Sequence, residues 1–585
     1  MSKRLFRRGF DAVLPSLFLV VTAVFLTAAE PADFVLRNAK VAIVDERFSL
    51  AEAVAVRGDK ILAVGKDADV GRLVGPNTRV VDAKGRLVIP GLMDSHTHPS
   101  GASLYEFDHV MPEMESIGDV LAYIRARTAV VPAGQWITLS QVFITRLREQ
   151  RYPTRAELDA AAPKHPVIFR TGPDASVNSL ALQLNKIDRH FQLPPGVPGK
   201  IEKDDRGEPT GILRTHANYF KSGSTGARSP TEAERQARLR ELFRDYNSVG
   251  ITSIGDRDAS PDAIARYATL RDAGALTVRV SCSHSIGSLG ELARIQDNIR
   301  AVAKHPQARG GDDWVRVIGI KMYLDGGMLT GSAYMRQPWG VSEIYSITDP
   351  AYRGVLFIPK DRLKPMVRAA VESGLQFTAH SVGDGAVHTL LECYDELTQE
   401  GLPVRAARPS ITHCNFMSKE AVEMAARLGV VVDIQPAWLY LDTRTLTKQF
   451  GYDRLRYFQP LKSIFAAGGV AGGGSDHMQK IGSFRSVNPY NPFLGMQTAI
   501  TRRAKWHDGQ LHPEEALTRE QALRFYTSNN AKVLRKEATT GSLEPGKLAD
   551  LVLLDTDLLT CPEDKIRDTK ALLTMVGGKV VWEAK

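Results

Sequence analysis

Two histidines separated by one residue follow a short apolar segment of the chain. His96 and His98 lie in VIPGLMDSHTHPSG, the sequence of residues 88–101. Side chains two residues apart on a strand point to the same face, so both imidazoles can bind one metal ion. A single histidine at the end of a strand is more often a core or loop residue. The pair therefore indicates a metal site only together with other ligands.

Four further polar residues lie within or at the ends of apolar segments. Lys321 lies within VIGIKMYL, and His380, His413 and Asp476 lie in or at the ends of LQFTAH, SITHC and AGGGSD. If these segments are strands of one barrel, their carboxyl ends meet at one face and the side chains converge. Imidazole and carboxylate ligands together favour a borderline divalent cation, and we expect zinc, as one ion or two.

Lys321 is the unusual member of this set, because an ammonium group inside an apolar strand is costly to bury. Burial lowers a lysine pKa from its ordinary value of about 10.4 and favours the neutral amine. A neutral amine can react with carbon dioxide to give a carbamate, whose oxygens can bridge two metal ions. Two other interpretations stay open: an ion pair with a carboxylate such as Asp325, or a side chain that extends along the strand to solvent.

Between about residues 245 and 535, short apolar segments alternate with polar loops and helical segments. This alternation predicts a parallel sheet, and the number of units favours a (β/α)₈ TIM barrel over the alternative of a doubly wound open sheet. Two of the intervening segments, DRLKPMVRAAVESG and SKEAVEMAARLG, have the apolar spacing of helices. The predicted strands cover residues 250–256, 276–282, 315–327, 375–384, 410–416, 430–436 and 469–477.

Both ends of the mature chain contain short apolar runs separated by turn residues. We expect residues 30–90 and 536–585 to form one composite β-sandwich domain, with the metal-dependent barrel between them in residues 91–535.

The stretch that follows His98 is about 150 residues long, which is too long for a single crossover within the barrel. Within it, the segment HPVIFRTG, residues 165–172, is predicted to supply the second barrel strand. Helical insertions around residues 102–162 and 175–245 are expected to cover the barrel mouth.

The first 29 residues differ in composition from the rest of the chain. Basic residues precede AVLPSLFLVVTAVFLTAA, the apolar run of residues 12–29, which ends in small residues. This pattern is typical of a secretory signal peptide, so we expect an exported protein, periplasmic or secreted. The alternative is an uncleaved membrane anchor formed by residues 12–29, because the run approaches the roughly 20 residues of a spanning helix.

The remaining composition limits the partners. A formal charge of +9 on 585 residues is a mild excess, and no basic run is interleaved with aromatic residues, so nucleic acid is not an expected partner. The 4 cysteines are widely spaced and form no disulfide framework. We expect a small-molecule substrate, and a homo-oligomer is compatible with the sequence.

Several short motifs occur together in this chain: PGLMDSHTH, a strand lysine in KMYLDG, TAHSVGDGAV, THC, GGGSD and the closing GSLEPGKLADLVLLD. This combination resembles the amidohydrolase superfamily, and more narrowly its amidohydrolase-3 branch, which includes YtcJ-like proteins and N-substituted formamide deformylases. The resemblance extends from about residue 33 to residue 585. It implies a metal-carrying (β/α)₈ barrel with a composite β-sandwich.

The resemblance also implies roles for the polar residues. Lys321 is expected to be the carboxylated, bridging lysine, and Asp476 to be both a ligand and the proton shuttle. The expected activity is hydrolysis of an amide-like C–N bond, other than a peptide bond, by metal-activated water. Alternatives are a catalytically inactive metal-binding barrel and a metal-dependent isomerase or hydratase that uses the same site. The implied metal ligands are His96, His98, Lys321, His380, His413 and Asp476.

Several residues near the expected pocket depart from the family pattern. Where relatives commonly have Gly-Asp-Arg-Ala, this chain has Gly-Asp-Gly-Ala at residues 383–386, and Thr412 replaces a common glutamate. The mechanism can be carried over from the family, but the substrate cannot. Asp94 and Asp384 are candidates to orient the imidazoles, unless they cap turns.

Three other polar residues are candidates for substrate contacts. Asn178 and Gln435 can donate hydrogen bonds to the substrate from the pocket rim, and His477 can orient the substrate. Alternatively, Asn178 and Gln435 satisfy backbone groups and His477 lines its loop.

Overall fold

A computed structural model describes residues 30–172, 174–195, 197, 199–215 and 220–585. The signal peptide predicted for residues 1–29 lies outside the described residues. Within the described ranges, none of the helices combines the length and the apolar composition needed to cross a bilayer.

The described residues contain strands in four sheets. In chain order the strands are β1 Phe34–Arg37, β2 Lys40–Ala42, β3 Leu50–Ala51, β4 Ala53–Arg57, β5 Lys60–Gly65, β6 Arg79–Asp82, β7 Leu87–Pro90, β8 Leu92–Thr97, β9 Ile137–Ser140, β10 Val167–Thr171, β11 Asp174–Val177, β12 Lys200–Lys203, β13 Pro209–Arg214, β14 Ile251–Ala259, β15 Arg279–Ser285, β16 Val315–Tyr323, β17 Gln376–Ser381, β18 Ser410–His413, β19 Val431–Ile434, β20 Val470–Gly473, β21 Leu551–Leu554, β22 Ala571–Val576 and β23 Lys579–Glu583.

Helices connect most of these strands. In chain order they are α1 Asp67–Val70, α2 Pro99–Ala102, α3 Ile117–Thr128, α4 Arg155–Ala161, α5 Ser179–Leu184, α6 Glu232–Ser248, α7 Pro261–Asp272, α8 Leu292–Val302, α9 Pro306–Arg309, α10 Lys360–Glu372, α11 Asp384–Gln399, α12 Lys419–Leu428, α13 Pro436–Phe450, α14 Leu461–Ala466, α15 Pro492–Thr501, α16 Arg519–Tyr526 and α17 Ser528–Val533.

Eight parallel strands form the central sheet in the order β8-β14-β15-β16-β17-β18-β19-β20, which is also their order along the chain. Backbone hydrogen bonds between the carboxyl end of β8 and the loop after β20 close the sheet. The Asp476 amide donates to the His96 carbonyl at 2.8 Å, and the His98 amide donates to the His477 carbonyl at 2.8 Å. The predicted (β/α)₈ barrel is therefore confirmed, and the open doubly wound sheet is excluded.

Capping residues explain where a barrel helix begins and ends. In α12, the Ser418 side chain accepts a hydrogen bond from the Ala421 amide, and Gly429 ends the helix with a φ of 69°. Serine is a favoured amino-terminal cap, and glycine adopts the left-handed conformation without steric penalty. The apolar face of each outer helix packs against the barrel strands in one continuous core that includes Ile254, Ile320, Phe377 and Val432.

Strands from both chain ends form the composite β-sandwich. One sheet has the order β5-β4-β1-β6, and the other has the order β23-β22-β21-β7-β2-β3. In the second sheet β21 pairs antiparallel with β7, and Val552 lies opposite Ile89. Leu36, Val54, Leu551 and Met575 belong to the apolar core of this domain. The sheet therefore joins the two ends of the chain, as the sequence predicts.

The prediction for residues 165–172 is wrong. β10 pairs parallel with β9 and antiparallel with β11, in a separate five-stranded sheet of order β12-β13-β11-β10-β9. The second barrel strand is β14. Ile168, Val177 and Leu213 belong to a separate core of the insertion, which is a mixed α/β unit rather than a helical one. Composition does not separate β10 from a barrel strand, because both are short, buried and rich in β-branched residues.

Candidate metal centre

The barrel gathers the predicted ligands at one face. His96 and His98 lie at the end of β8, Lys321 lies near the end of β16, and the other three follow on β17, β18 and the loop after β20. Strands that follow one another in the barrel place their carboxyl ends side by side. The residues are therefore neighbours in space although up to 380 positions separate them in the chain.

His96, His98 and Asp476 form a tight cluster. The Nε2 atoms of the two histidines are 3.2 Å apart. Oδ1 of Asp476 lies 3.4 Å from Nε2 of His96 and 3.2 Å from Nε2 of His98. The alternation of side chains along β8 directs both imidazoles to the same side, as the His-x-His spacing predicts.

His413 and His380 extend the cluster around the barrel. The ring centroid of His413 lies 4.8 Å from that of His96 and 4.5 Å from that of His380. His413 and Asp476 have φ angles of 82° and 56°, in the left-handed region. Residues other than glycine rarely adopt this region, and each costs about 1–3 kcal/mol. Strain at both residues is typical of side chains that the fold holds for a function.

Lys321 is buried, with an exposed fraction of 1%. Its Nζ atom has no hydrogen bond or ion pair with any residue in the described part of the chain, and lies 5.1 Å from the centre of the Tyr323 ring. Burial lowers the pKa of Lys321. Burial is the largest cause that lowers the pKa of His96 and of His380. The positive charge of Lys321 is the second cause for both rings, so the amine lies close to both.

The alternative of a Lys321–Asp325 ion pair is not found. The carboxylate of Asp325 instead accepts hydrogen bonds from the backbone amides of Tyr334, Val382 and Gly383 at 2.9–3.0 Å. Burial raises the pKa of Asp325 to about 8. This carboxyl group therefore organises the loops beside β16 and β17 rather than neutralising Lys321.

Three imidazoles of the cluster, those of His96, His413 and His380, each have a hydrogen-bond partner on one ring nitrogen. Nδ1 of His96 is 2.9 Å from Oδ1 of Asp433, and Nδ1 of His413 is 2.8 Å from Oε1 of Gln435. Nε2 of His380 is 3.2 Å from the carbonyl oxygen of Gly326. Such partners fix the tautomer and leave the other nitrogen free to bind a metal ion.

Asp433 is a residue of this centre that the sequence analysis did not identify. It lies in β19 with no exposed surface, and its Oδ2 atom is 3.4 Å from Nε of the buried Arg257. Nε2 of Gln435 donates to Oδ1 of Asp433 at 2.9 Å. A carboxylate inside the apolar sequence VVVDIQP is the same kind of signal as the lysine in VIGIKMYL, and it could have been found in the same way.

Burial also sets the protonation of the ligands. It lowers the pKa of His96 and His413 well below the ordinary value and lowers the pKa of His380 to about 3. These rings are therefore neutral at neutral pH, which is the form that binds metals. Burial raises the pKa of Asp476, which favours the exchange of a proton by this group.

Asp94 and Asp384 do not orient the imidazole rings. Asp94 accepts hydrogen bonds from the backbone amides of His96 and Ser475, each at 3.0 Å, and so links β8 to the loop after β20. Asp384 accepts from the backbone amide of Arg336 at 2.9 Å. Asp94 and Asp384 therefore bind backbone amides, as the turn-capping alternative predicts. Asp433 and Gln435 are the residues that contact the imidazole rings.

Of the three candidates for substrate contacts, Gln435 lies in the metal centre, where its Oε1 atom accepts a hydrogen bond from Nδ1 of His413. Asn178 lies in the insertion, where its side chain donates to the His165 carbonyl and accepts from the Val167 and Ala181 amides. His477 is fully buried; Tyr246 donates to its Nδ1 atom at 2.7 Å, and its Nε2 atom donates to the carbonyls of Gln479 and Lys480. These contacts correspond to the structural alternatives for both residues.

The donor atoms fit a divalent transition-metal ion. The ligand atoms of His96, His98 and Asp476 lie within 4.8 Å of one another, as do those of His96, His413 and Asp433. Neutral imidazoles with carboxylates suit zinc and similar borderline ions. The buried amine of Lys321 makes no hydrogen bond or ion pair within the described residues and lies over the Tyr323 ring. Fold and donor set together define a metal-binding (β/α)₈ barrel.

Comparisons with known proteins identify the family. The sequence matches the amidohydrolase family over residues 79–582, and the chain belongs to that family, whose members are metal-dependent hydrolases of C–N bonds other than peptide bonds. It is 29% identical over 568 residues to an N-substituted formamide deformylase from Arthrobacter pascens, covering 94% of this chain and 98% of that protein. It is 24% identical over 541 residues to the putative amidohydrolase YtcJ of Bacillus subtilis strain 168, covering 91% and 96%.

Solved structures agree on the fold. A metal-dependent hydrolase from Pyrococcus horikoshii OT3 superposes with a TM-score of 0.65 at 20% identity, covering 91% of this chain and 99% of that one. The family match and the two relatives described above confirm the resemblance to the amidohydrolase-3 branch predicted from the motifs.

Proposed function

We propose that this protein hydrolyses an amide-like C–N bond of a small molecule, with Asp476 as the proton shuttle. The observation that carries the proposal is the position of Asp476. Its Oδ1 atom lies 3.2–3.4 Å from the metal-facing nitrogens of two imidazoles, and burial raises its pKa. A carboxylate held in this way is suited both to bind an ion and to move a proton.

In this proposal the histidines would hold the ion and Asp476 moves the proton. The imidazoles of His96, His98, His380 and His413 would hold one or two divalent ions, which we expect to be zinc. A bound ion of this kind acidifies water and polarises a carbonyl group. Asp476 accepts a proton from the attacking water and then donates it to the leaving nitrogen. The C–N bond breaks, the hydroxyl group of water stays on carbon, and the proton ends on the amine.

We also propose that Lys321 is carboxylated. Its amine makes no hydrogen bond or ion pair with a described residue, and burial lowers its pKa, which favours the neutral, nucleophilic form. The amine nitrogen attacks carbon dioxide, a C–N bond forms, and one proton leaves to solvent. The resulting carbamate presents two oxygens to the metal centre. Mass analysis of the intact protein would show the added mass of one carbon dioxide, lost in a Lys321→Met variant.

The substrate class rests on the relatives. The Arthrobacter protein is named for deformylation of N-substituted formamides, so we propose N-formyl and related N-acyl compounds as the first substrates to test. Release of free amine from N-formyl, N-acyl and cyclic amides should be measured with metal-loaded and with chelator-treated protein. Turnover that disappears on chelation and returns with the metal supports the proposal. If no compound is turned over by protein that holds stoichiometric metal, the inactive-barrel alternative gains support.

Asp476→Asn tests the proton shuttle. General acid–base groups contribute about 10²–10⁴-fold, so kcat should fall by that factor, with metal content measured in parallel. Asp384→Asn is the matched control, because Asp384 lies at the barrel mouth but, within the described residues, its side chain hydrogen-bonds to the Arg336 amide and to none of the proposed metal ligands. A kcat that falls equally in both variants would contradict the role of Asp476.

We further propose that residues 1–29 direct export and are removed. The amino-terminal sequence of the protein isolated from producing cells tests this, since a retained anchor would leave residues 12–29 in place.

A further inference from the structure

A separate cavity lies beside the loop that follows Asp476. It has a volume of about 300 Å³ and is enclosed by parts of the insertion, by α13 and by residues 479–489. None of the metal-centre residues described above lines it. Cavities of this size hold small ligands, and such sites combine apolar walls with a few polar groups.

The walls of this cavity combine aromatic rings with cations. The rings belong to Tyr105, Phe143, Tyr440, Phe484 and Trp506, and the cations to Arg146, Lys480, Arg485, Lys505 and Arg567. Glu113 and Glu115 also line the cavity, and both are exposed. The lining therefore carries more cations than carboxylates, and its rings are suited to planar apolar groups.

Lys480 differs from the arginines of the cavity because its ammonium makes no direct hydrogen bond or ion pair within the described residues. Arg146 pairs with Asp442 at 2.8 Å, and Arg485 pairs with Glu106 at 3.0 Å. Lys480 has an exposed fraction of 6%, and its ammonium makes no hydrogen bond or ion pair with any residue that the structure describes. The side chain is buried and its ammonium lies in the cavity wall without a direct ion-pair partner among the described residues, so its position points to an anionic ligand.

The wall that carries Lys480 is held in place by the fold. Nε2 of His477 donates to the carbonyls of Gln479 and Lys480, both at 2.9 Å. The ring of His477 is itself fixed by Tyr246, whose hydroxyl lies 2.7 Å from Nδ1. The backbone of Lys480 is therefore positioned before any ligand arrives, which reduces the entropy lost on binding.

We propose that this cavity is a binding site for a small aromatic carboxylate. The carboxylate pairs with Lys480, and the ring packs against Phe484 and Trp506, which line the same cavity. The inference goes beyond the hydrolysis proposed above and does not depend on it, because the lining residues and the metal ligands are different side chains.

Calorimetric titration of the full chain with benzoate and with benzylamine tests the charge preference. The two probes share a ring and differ in the sign of their charge. Benzoate should bind at least tenfold more tightly than benzylamine. Lys480→Gln should weaken benzoate binding about 10–100-fold, the range of one charge-assisted hydrogen bond. Lys480→Arg keeps the charge and should retain binding within a few fold.

Two further variants complete the design. Lys304→Gln removes an exposed lysine outside the cavity and should leave binding unchanged. Trp506→Ala removes a ring that is 43% exposed, so the variant should fold, and it should weaken benzoate binding about threefold to tenfold. If Lys480→Gln does not fold, the arginine variant and Trp506→Ala still test the site.

Titrations before and after removal of metal by a chelator separate this site from the metal centre. Benzoate binding that survives chelation and responds to Lys480 supports the cavity, whether or not any amide is hydrolysed. Benzoate binding that is lost on chelation, equal affinity for benzylamine, or full affinity in Lys480→Gln would each overturn the proposal.

Discussion

Asp433 offers a test of how the metal centre is held together. Its Oδ1 atom contacts Nδ1 of His96 at 2.9 Å, and its Oδ2 atom lies 3.4 Å from the guanidinium of Arg257. Asp433→Asn keeps the size of the side chain and removes its charge. The change should weaken the orientation of His96 and leave Arg257 without a counterion.

Two magnitudes follow from these contacts. Loss of a partner that orients a metal-binding imidazole typically weakens metal affinity or activity 10–100-fold, or about 1.4–2.8 kcal/mol. Loss of one member of a buried ion pair costs about 3–5 kcal/mol of stability. Arg257 keeps hydrogen bonds to Gln376 at 2.8 Å and to Ser283 at 3.1 Å, so the stability loss should fall toward the lower end.

Asp550→Asn is the matched control. Asp550 forms another buried ion pair, with Arg279, at 2.7 and 2.9 Å, but it lies beside the β-sandwich. Both variants should lower the free energy of unfolding of the metal-free protein, measured by urea titration. Only Asp433→Asn should lower metal affinity, measured by competition with a chromophoric chelator at low urea.

Two outcomes would contradict the role of Asp433 in the metal centre. If Asp433→Asn is destabilised but binds the metal as tightly as the original protein, then Asp433 serves only the barrel core. If both variants lose metal equally, the loss reflects general unfolding, and the specific contact to His96 is not responsible.

Two further predictions concern stability. Arg151 lowers the pKa of Glu157 to about 2, so this pair contributes fully above pH 4.5 and its contribution is lost as the pH falls toward 2. Glu157→Gln should therefore lower the stability by about 1 kcal/mol at pH 7 after solvent screening, and by about half of that or less at pH 3, measured by thermal unfolding. In β16, a Cβ atom at Gly319 would lie 2.0 Å from the Gln376 carbonyl oxygen. Gly319→Ala should therefore lower the free energy of unfolding by about 1–3 kcal/mol. Gly65→Ala, where nothing lies within 4 Å, should be nearly neutral, and equal effects would contradict the clash.

The barrel and the convergence of the ligands could be predicted from the sequence for a physical reason. Parallel strands buried on both faces are short, nearly continuous apolar runs, so polar residues at their ends are conspicuous. All eight strands run in the same direction around a closed barrel, so the strand ends that carry His96, His380 and His413 meet at one face. Asp433 follows the same pattern within β19.

Other features depend on contacts between distant parts of the chain. β10 has the composition of a barrel strand, and only its pairing with β9 and β11 places it in the insertion. In the same way, the sequence could not decide whether Asn178 and His477 face a pocket or backbone groups. Sequence patterns specify elements and faces, but the partner of a buried polar atom is set by tertiary packing.

The electrostatics of the centre bear on the state of Lys321. A divalent ion beside the imidazoles and a protonated amine on the neighbouring strand would repel each other strongly, because both are shielded from water. Asp258, Asp433 and Asp476 offset part of the charge on Lys321. Two of them have other partners, because Asp433 faces the guanidinium of Arg257 and Asp258 accepts a hydrogen bond from Tyr323 at 3.1 Å. Conversion of Lys321 to a carbamate replaces a positive group by a negative one and removes the repulsion. Metal affinity should therefore rise with added bicarbonate, and an affinity independent of bicarbonate would argue against the modification.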